Sequence, residues 1–231
     1  MKRFLVKYKF FVVVVILFCI ASSVFSGIVN IQASKANGIT IVLDAGHGGR
    51  DGGSIGVNGT IEKEINLEYV LALKDKLVDS GFCVVLTRNS DEGLYSEMAK
   101  NKKVSDMNAR MQIIRKANPN LVVSLHMNSF ADSSVAGANC YYKIDDDASK
   151  YCADLIQGCL KTYCGAKNNL SKEGDYFMLN CSYYTSVLIE CGFLSNPNEE
   201  NLLNTKTYKD KIVNAIYSGI LLYFGNGDFV K

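Results

Sequence analysis

Four residues hold most of the chemistry that this sequence can offer. The chain has two histidines, His47 and His126, and each stands just past or at the end of an apolar run: His47 follows IVLDAG, and His126 closes LVVSL. Glu190 ends a third such run, SVLIE, and Glu62 opens a helical pattern after Gly59-Thr60-Ile61. Two imidazoles and one carboxylate are the donor set of a catalytic zinc site, which keeps one position open for water. His47, Glu62 and His126 fit that set, at one Zn2+ per chain. Two histidines exclude a three-histidine centre, and they stand too far apart for a helical H-E-x-x-H pair. Glu190 suits another task. A carboxylate at the end of a buried strand is costly unless it is paired or used, and burial raises its pKa toward the range of a general base.

Each residue has a plainer alternative. Glu62 could simply cap its helix, a lone strand-end histidine is more often a hydrogen-bonded core residue, and Glu190 could accept hydrogen bonds from a neighbouring loop. Two histidines at equivalent positions, in a chain with no others, favour the metal. Asp44, just before His47, either orients an imidazole from behind or joins a turn. Other chemistries fit less well. Gly52-Gly53-Ser54-Ile55-Gly56 matches G-x-S-x-G, but no strand runs straight into Ser54 and no helix leaves it, as a nucleophile elbow requires. No phosphate loop is present, because there is no G-K pair and Asp51 occupies the last glycine position of G-x-G-x-x-G. No cysteine carries a nucleophile signature.

The elements that must position these groups alternate along the chain. Ile39–Leu43 reads as a strand, and the glycine-rich stretch Gly46–Gly59 as a loop able to turn tightly beside a metal. Glu62–Ser80 has helical periodicity and is closed by Gly81. Cys83–Thr87 and Leu121–His126 read as strands around a helix over Ser105–Lys116. Ala138–Lys143 is a weaker strand and Asp146–Tyr163 a helix. Tyr176–Leu179 and Ser186–Glu190 read as further strands, Pro197 opens a short helix, and Lys206–Phe224 is an amphipathic helix. The expected fold is a single α/β domain: a mostly parallel twisted sheet of about six strands with helices on both faces. Ligands of such sheets bind beyond the carboxyl ends of the strands, where His47, His126 and Glu190 converge.

The chain has 231 residues, 48% hydrophobic and 21% charged, a globular composition. Five of the 25 basic residues (Lys2, Arg3, Lys7, Lys9, Lys35) precede residue 38, and all 23 acidic ones follow it. The body thus carries 20 basic against 23 acidic residues, which argues against nucleic acid as a partner. The basic leader before Phe10–Ala21 reads as an export signal, with Val24-Phe25-Ser26 as a candidate cleavage site, or equally as an uncleaved anchor. Phe10–Ser34 is an uncharged stretch of 25 residues, enough to span a bilayer. Phe18 before Cys19 speaks against a lipoprotein. Residues 1–37 are therefore expected to be a signal or anchor with its linker, and residues 38–231 the exported catalytic domain. The seven body cysteines, odd in number and without C-x-x-C, read as free thiols.

LDAGHGGRDGGSIG, GTIEKEINL, SLHMNS and LIECGFLSN, in this order, resemble the zinc-dependent N-acetylmuramoyl-L-alanine amidases of the amidase-3 type, over Ile39–Phe224. The resemblance places zinc ligands at His47, Glu62 and His126 and the catalytic glutamate at Glu190. It matches the family's arginine to Arg110, which with Asn128 is expected among the substrate contacts. Thr185 stands where the family usually has proline, which puts the rigidity of that loop in question. The implied reaction cuts the amide between the lactyl group of N-acetylmuramic acid and L-alanine in peptidoglycan. The segment ahead of a single domain is most similar to the germination-specific sporulation amidases, which implies cortex muramic lactam formation outside the cytoplasm. A zinc carboxypeptidase or endopeptidase of the stem peptide, or a non-catalytic wall-binding module, are the alternatives. An accessory protein partner is not readable in the sequence.

Overall fold

Five largely apolar runs and one short charged strand between residues 40 and 193 assemble into one six-stranded sheet. The structure, a computed structural model, describes residues 38–180 and 183–225. The export or anchor segment, with Cys19, and Cys181 lie outside the described residues. In chain order the elements are β1 (Thr40–Ala45), α1 (Glu62–Asp79), β2 (Cys83–Leu86), α2 (Lys102–Ala117), β3 (Leu121–Asn128), β4 (Asn139–Tyr142), α3 (Asp147–Cys164), β5 (Lys172–Glu173), α4 (Phe177–Asn180), β6 (Ser186–Phe193), α5 (Pro197–Leu203) and α6 (Lys206–Gly225). Among the described residues no helix is long and apolar enough to cross a membrane.

The strand order is β2-β1-β3-β6-β4-β5. The β1–β2, β1–β3, β3–β6 and β4–β5 pairs are parallel and β4–β6 is antiparallel. The mostly parallel sheet is thus as the alternation of elements implies. Side chains alternate across a strand, so Ile41, Leu43 and Ala45 of β1 and Leu121, Val123 and Leu125 of β3 face one side. There they join Tyr69, Leu73, Ile156 and Ile216 in a large core under α1, α3 and α6. Val42 and Val122 point the other way, to Met111, Ile114 and Met178 of α2 and α4. This second face is thinly covered, and the carboxyl end of the sheet is open there.

Local chemistry explains the helix limits. Asn101 caps α2 by accepting from the Val104 N–H, Asp146 caps α3 through the Ser149 N–H, and Pro197 occupies the first turn of α5 behind the Asn196 cap. Left-handed Asn118 and Gly165 end α2 and α3. One expected strand is corrected: Tyr176–Leu179 is not extended, and Phe177–Asn180 forms a single helical turn. A four-residue apolar run satisfies either period, and here Met178 and Leu179 bury from a helix. The sixth strand is Lys172–Glu173 instead, an exposed edge pairing with β4. The helix expected over Ser105–Lys116 begins earlier, at Lys102. The six described body cysteines are free thiols.

Candidate active site

Strand parity and register bring the central groups together. His126 pairs with Glu190 across β3 and β6, so both side chains stand on the same face, about one strand spacing (~4.8 Å) apart. Asp44 pairs likewise with Ser124 across β1 and β3, one residue pair deeper on that face. Beyond β1 the chain bends back through the glycine-rich loop, and His47 adopts a positive φ of 62°, rare for a residue with a side chain. Gly46 is required for a steric reason. A Cβ on it would collide with the His126 ring, and one on Gly53 would collide with Glu62 and His47.

Two buried arginines hold that bend. Arg110 of α2, 2% exposed, donates to Asp44 Oδ1 at 2.6 Å, to the Ala45 carbonyl at 2.8 Å and to the His47 carbonyl at 2.5 Å, while its Nε donates to Asp106 Oδ2 at 2.7 Å. Arg88 donates to the carbonyls of Ala45 (2.9 Å), Gly46 (2.9 Å) and Lys63 (2.7 Å). Asp44 also accepts from Thr87 Oγ1 at 2.7 Å and Ser124 Oγ at 2.6 Å. Burial pushes the Asp44 carboxyl up, but Arg110 and the two hydroxyls outweigh it and hold the pKa at about 2. A buried ion pair therefore clamps the backbone that presents His47.

Glu62 lies between the imidazoles. Its Oε1 is 3.2 Å from His47 Nε2 and 3.0 Å from His126 Nδ1, and the rings meet edge to face at 5.1 Å. The carboxylate also accepts from the Ser54 N–H at 2.8 Å and from the Met127 N–H and Asn66 Nδ2 at 3.2 Å each. It opens α1 but does not cap it. On the far side of His47, Nδ1 is 3.0 Å from Asp51 Oδ2, which fixes the ring and leaves Nε2 toward Glu62. Among the described residues, His47, Glu62 and His126 form a group whose ligand atoms all lie within 4.8 Å of one another. Ligands at ~2.1 Å from a tetrahedral zinc are about 3.4 Å apart, close to the Glu62–imidazole separations. Charge agrees with that use. Against the opposite pull of burial, Glu62 and Asp51 hold the His47 pKa above its usual value, so the pocket favours positive charge. The donor set suits a divalent metal ion.

Glu190 completes the floor. It is 8% exposed, and its Oε2 is buried with no hydrogen-bond partner. Burial pushes its pKa up to about 7, with Glu62 adding to the rise and His126 opposing it. A buried polar atom without a partner is uncommon, and Glu190 lines a cleft of about 530 Å³ together with His47, His126, Tyr95, Tyr176, Phe177 and Leu188. Such a carboxylate can accept a proton from a water held beside it.

The structure gives other residues different tasks from those expected. Asp44 does not reach an imidazole, because Arg110, Thr87 and Ser124 use its oxygens. Arg110 is 2% exposed and spends four of its five N–H donors on internal partners, so its main task is to position the His47 loop. Asn128 ends β3, but its side-chain oxygen accepts from the Ser129 N–H at 2.8 Å, and it is not among the residues lining the cleft. Thr185, in the family's proline position, is tied without a proline: its carbonyl accepts from the Val122 N–H at 2.9 Å and its side chain bonds Tyr223. Sequence reasoning missed Arg88, Asp51 and Glu200. Asp51 lies one helical spacing from His47 and could have been noticed; the fully buried Glu200 ties the glycine-rich loop to α5 through the Asn58 and Thr60 N–H groups, at 2.7 and 3.0 Å, a contact with no local signal.

Known proteins resemble this chain in sequence and fold. A family model described as Amidase_3, N-acetylmuramoyl-L-alanine amidase, matches residues 41–221. The germination-specific N-acetylmuramoyl-L-alanine amidase of Bacillus subtilis is 35% identical over 81% of each chain. The structure of the CwlD amidase from Clostridioides difficile, in complex with the GerS lipoprotein, aligns with a TM-score of 0.75 and 39% identity, over 81% of this chain and 99% of that one. A second Clostridium difficile N-acetylmuramoyl-L-alanine amidase aligns with a TM-score of 0.74 at 27% identity, over 82% and 98%.

Proposed function

Since the chain belongs to the Amidase_3 family and is an N-acetylmuramoyl-L-alanine amidase of peptidoglycan, we propose that it works as a zinc hydrolase with His47, Glu62 and His126 as ligands and Glu190 as general base. The observation that carries this reading is the partnerless Glu190 oxygen beside a compact His-Glu-His group. A bound zinc ion lowers the pKa of its water from about 15.7 to roughly 7 and polarises a carbonyl. The protein's own groups do the rest. Asp51 and Arg110 keep the His47 ring and backbone in place, and the Glu62 carboxylate is held by backbone and Asn66 donors. Glu190 accepts the proton of the attacking water at its free oxygen and returns it to the alanine nitrogen as the amide breaks. Leu188 and Met178 exclude bulk water from that side of the cleft. The products are a free lactyl carboxylate on muramic acid and a stem peptide beginning with L-alanine.

The Bacillus subtilis relative is germination-specific by name, which supports a role in spore cortex modification, where exposed muramic acid closes to its lactam. Residues 1–37 would export the domain and, if uncleaved, anchor it to the membrane. The GerS complex of the Clostridioides difficile neighbour supports an accessory exported protein as partner here. Metal analysis tests the site directly. One zinc per chain is expected in the wild type and in Glu190→Ala, and none in His126→Ala; zinc retained by His126→Ala would remove that ligand from the assignment.

A further inference from the structure

The cleft leading to Glu190 has two unlike walls. One is formed by Tyr176, Phe177 and Leu188 and carries no charge. The other holds Arg50, Lys102 and Lys103, the two lysines starting α2. Lys102 is used internally, with Nζ 2.6 Å from the Glu97 carbonyl and 2.5 Å from its Oε2. Arg50 reaches Glu97 only at 3.7 Å, with both side chains about 70% exposed (72% and 69%), and such a pair contributes little in water. Lys103 is exposed and, among the described residues, has no ion-pair partner within 4.0 Å, although its charge helps to lower the pKa of Asp51. Of the acids in the same cleft, Asp44 and Asp106 are matched by Arg110 and Asp51 by His47, while Glu190 stands at the floor with one oxygen unpartnered. The first turn of α2 contains no acidic residue, so its positive end adds to the wall rather than cancelling it. Two cations are therefore available to a ligand along this wall.

We propose that this wall is a carboxylate-binding subsite: an anionic peptide runs along Arg50 and Lys103, while the glycan lies against Tyr176 and Phe177. Stem peptides carry carboxylates beyond their L-alanine, so the split walls orient the substrate across the centre, peptide to one side and sugar to the other. The assignment rests on the peptidoglycan amidase reading of this cleft. It makes charge on the stem peptide a specificity determinant, and because both cations are solvent-exposed the effect should fade with added salt.

The test compares two soluble muramoyl peptides, one with free stem carboxylates and one with them amidated, using the full chain loaded with zinc. The wild type should favour the free acid by about three- to tenfold in kcat/KM, the size expected of two exposed ion pairs, with the difference in KM. Arg50→Gln combined with Lys103→Gln should abolish the preference, and Lys103→Glu should invert it. Phe177→Ser should raise KM for both substrates alike and keep the preference. Equal rates of wild type on both substrates, or a preference that survives the double substitution, would overturn the subsite. No L-alanine-ended peptide from either substrate would overturn the amidase reading itself, and the subsite with it.

Discussion

Replacing Arg110 by methionine should damage the protein in two separable ways. The guanidinium and Asp44 are 2% and 1% exposed and lie 2.6 Å apart. Removing one member of a buried pair strands the other, which costs about 3–5 kcal/mol. Thr87 and Ser124 would still donate to Asp44, so the lower part of that range is expected, and neutralising the acid should recover part of the loss. Against a typical stability of about 5–15 kcal/mol, the single variant loses a large fraction. In a domain of this size that lowers Tm by roughly 6–20 °C. The second effect is local: the His47 carbonyl loses its 2.5 Å donor, the positive-φ backbone relaxes, and zinc affinity falls. Urea unfolding in excess chelator isolates the first effect, because bound metal would otherwise add its own stabilisation. Chelator competition measures the second. In a cycle with Asp44→Asn, the double variant should be less destabilised than the sum by about 1–3 kcal/mol. A loss below about 1 kcal/mol for Arg110→Met, or simple additivity, would refute the clamp.

Glu190→Gln should fold and bind zinc as the wild type does but lose about 10²–10⁴-fold in kcat, the usual contribution of a positioned base; full turnover would require a different proton acceptor. Gly46→Ala has an allowed backbone but drives a methyl into the His126 ring, so it should cost about 1–3 kcal/mol and weaken zinc binding in metal titration. Gly59→Ala, at a φ of 91° with open space around it, should cost about 1 kcal/mol of backbone strain and leave metal affinity alone. Acid denaturation should report Asp44. Its folded pKa of about 2 lies below the ordinary 3.8, so its stabilisation is complete above the ordinary value and is lost as pH falls toward 2. That contribution, about 2 kcal/mol from the shift, should be missing in Asp44→Asn when wild type and variant are compared by unfolding between pH 5 and pH 2.

The site was legible because strand period and chain order carry it. Apolar runs ending in His126 and Glu190 imply two strand ends, and parity then places both side chains on one face once the strands are neighbours. Glu62 was legible from its place at the start of a helix. What remained hidden was mostly long-range. Arg110 and Asp44 meet across the sheet, and neither residue's neighbours in sequence announce the partner. Arg88 looks like any exposed charge after a strand, yet it holds four carbonyls. The positive φ of His47 has no sequence signal of its own, because left-handed backbone is read from glycines and Gly46 and Gly48 flank it. At the sheet's far edge, Lys172–Glu173 has no apolar signal, and the apolar run at Tyr176–Leu179 fits a helical turn as well as a strand. Short elements follow their tertiary surroundings more than their own pattern.

The most direct test of the central claim follows where water's oxygen goes. Purified peptidoglycan is digested by the zinc-loaded protein in heavy-oxygen water, and the fragments are sequenced by mass spectrometry, with a chelated sample as the control. Hydrolysis at the proposed bond places one heavy oxygen in the lactyl carboxylate of muramic acid and releases unlabelled stem peptides that begin with L-alanine. Glu190→Gln and the chelated sample should give neither product. Label at a new reducing sugar end, or at a new carboxyl end within the stem peptide, would contradict the account.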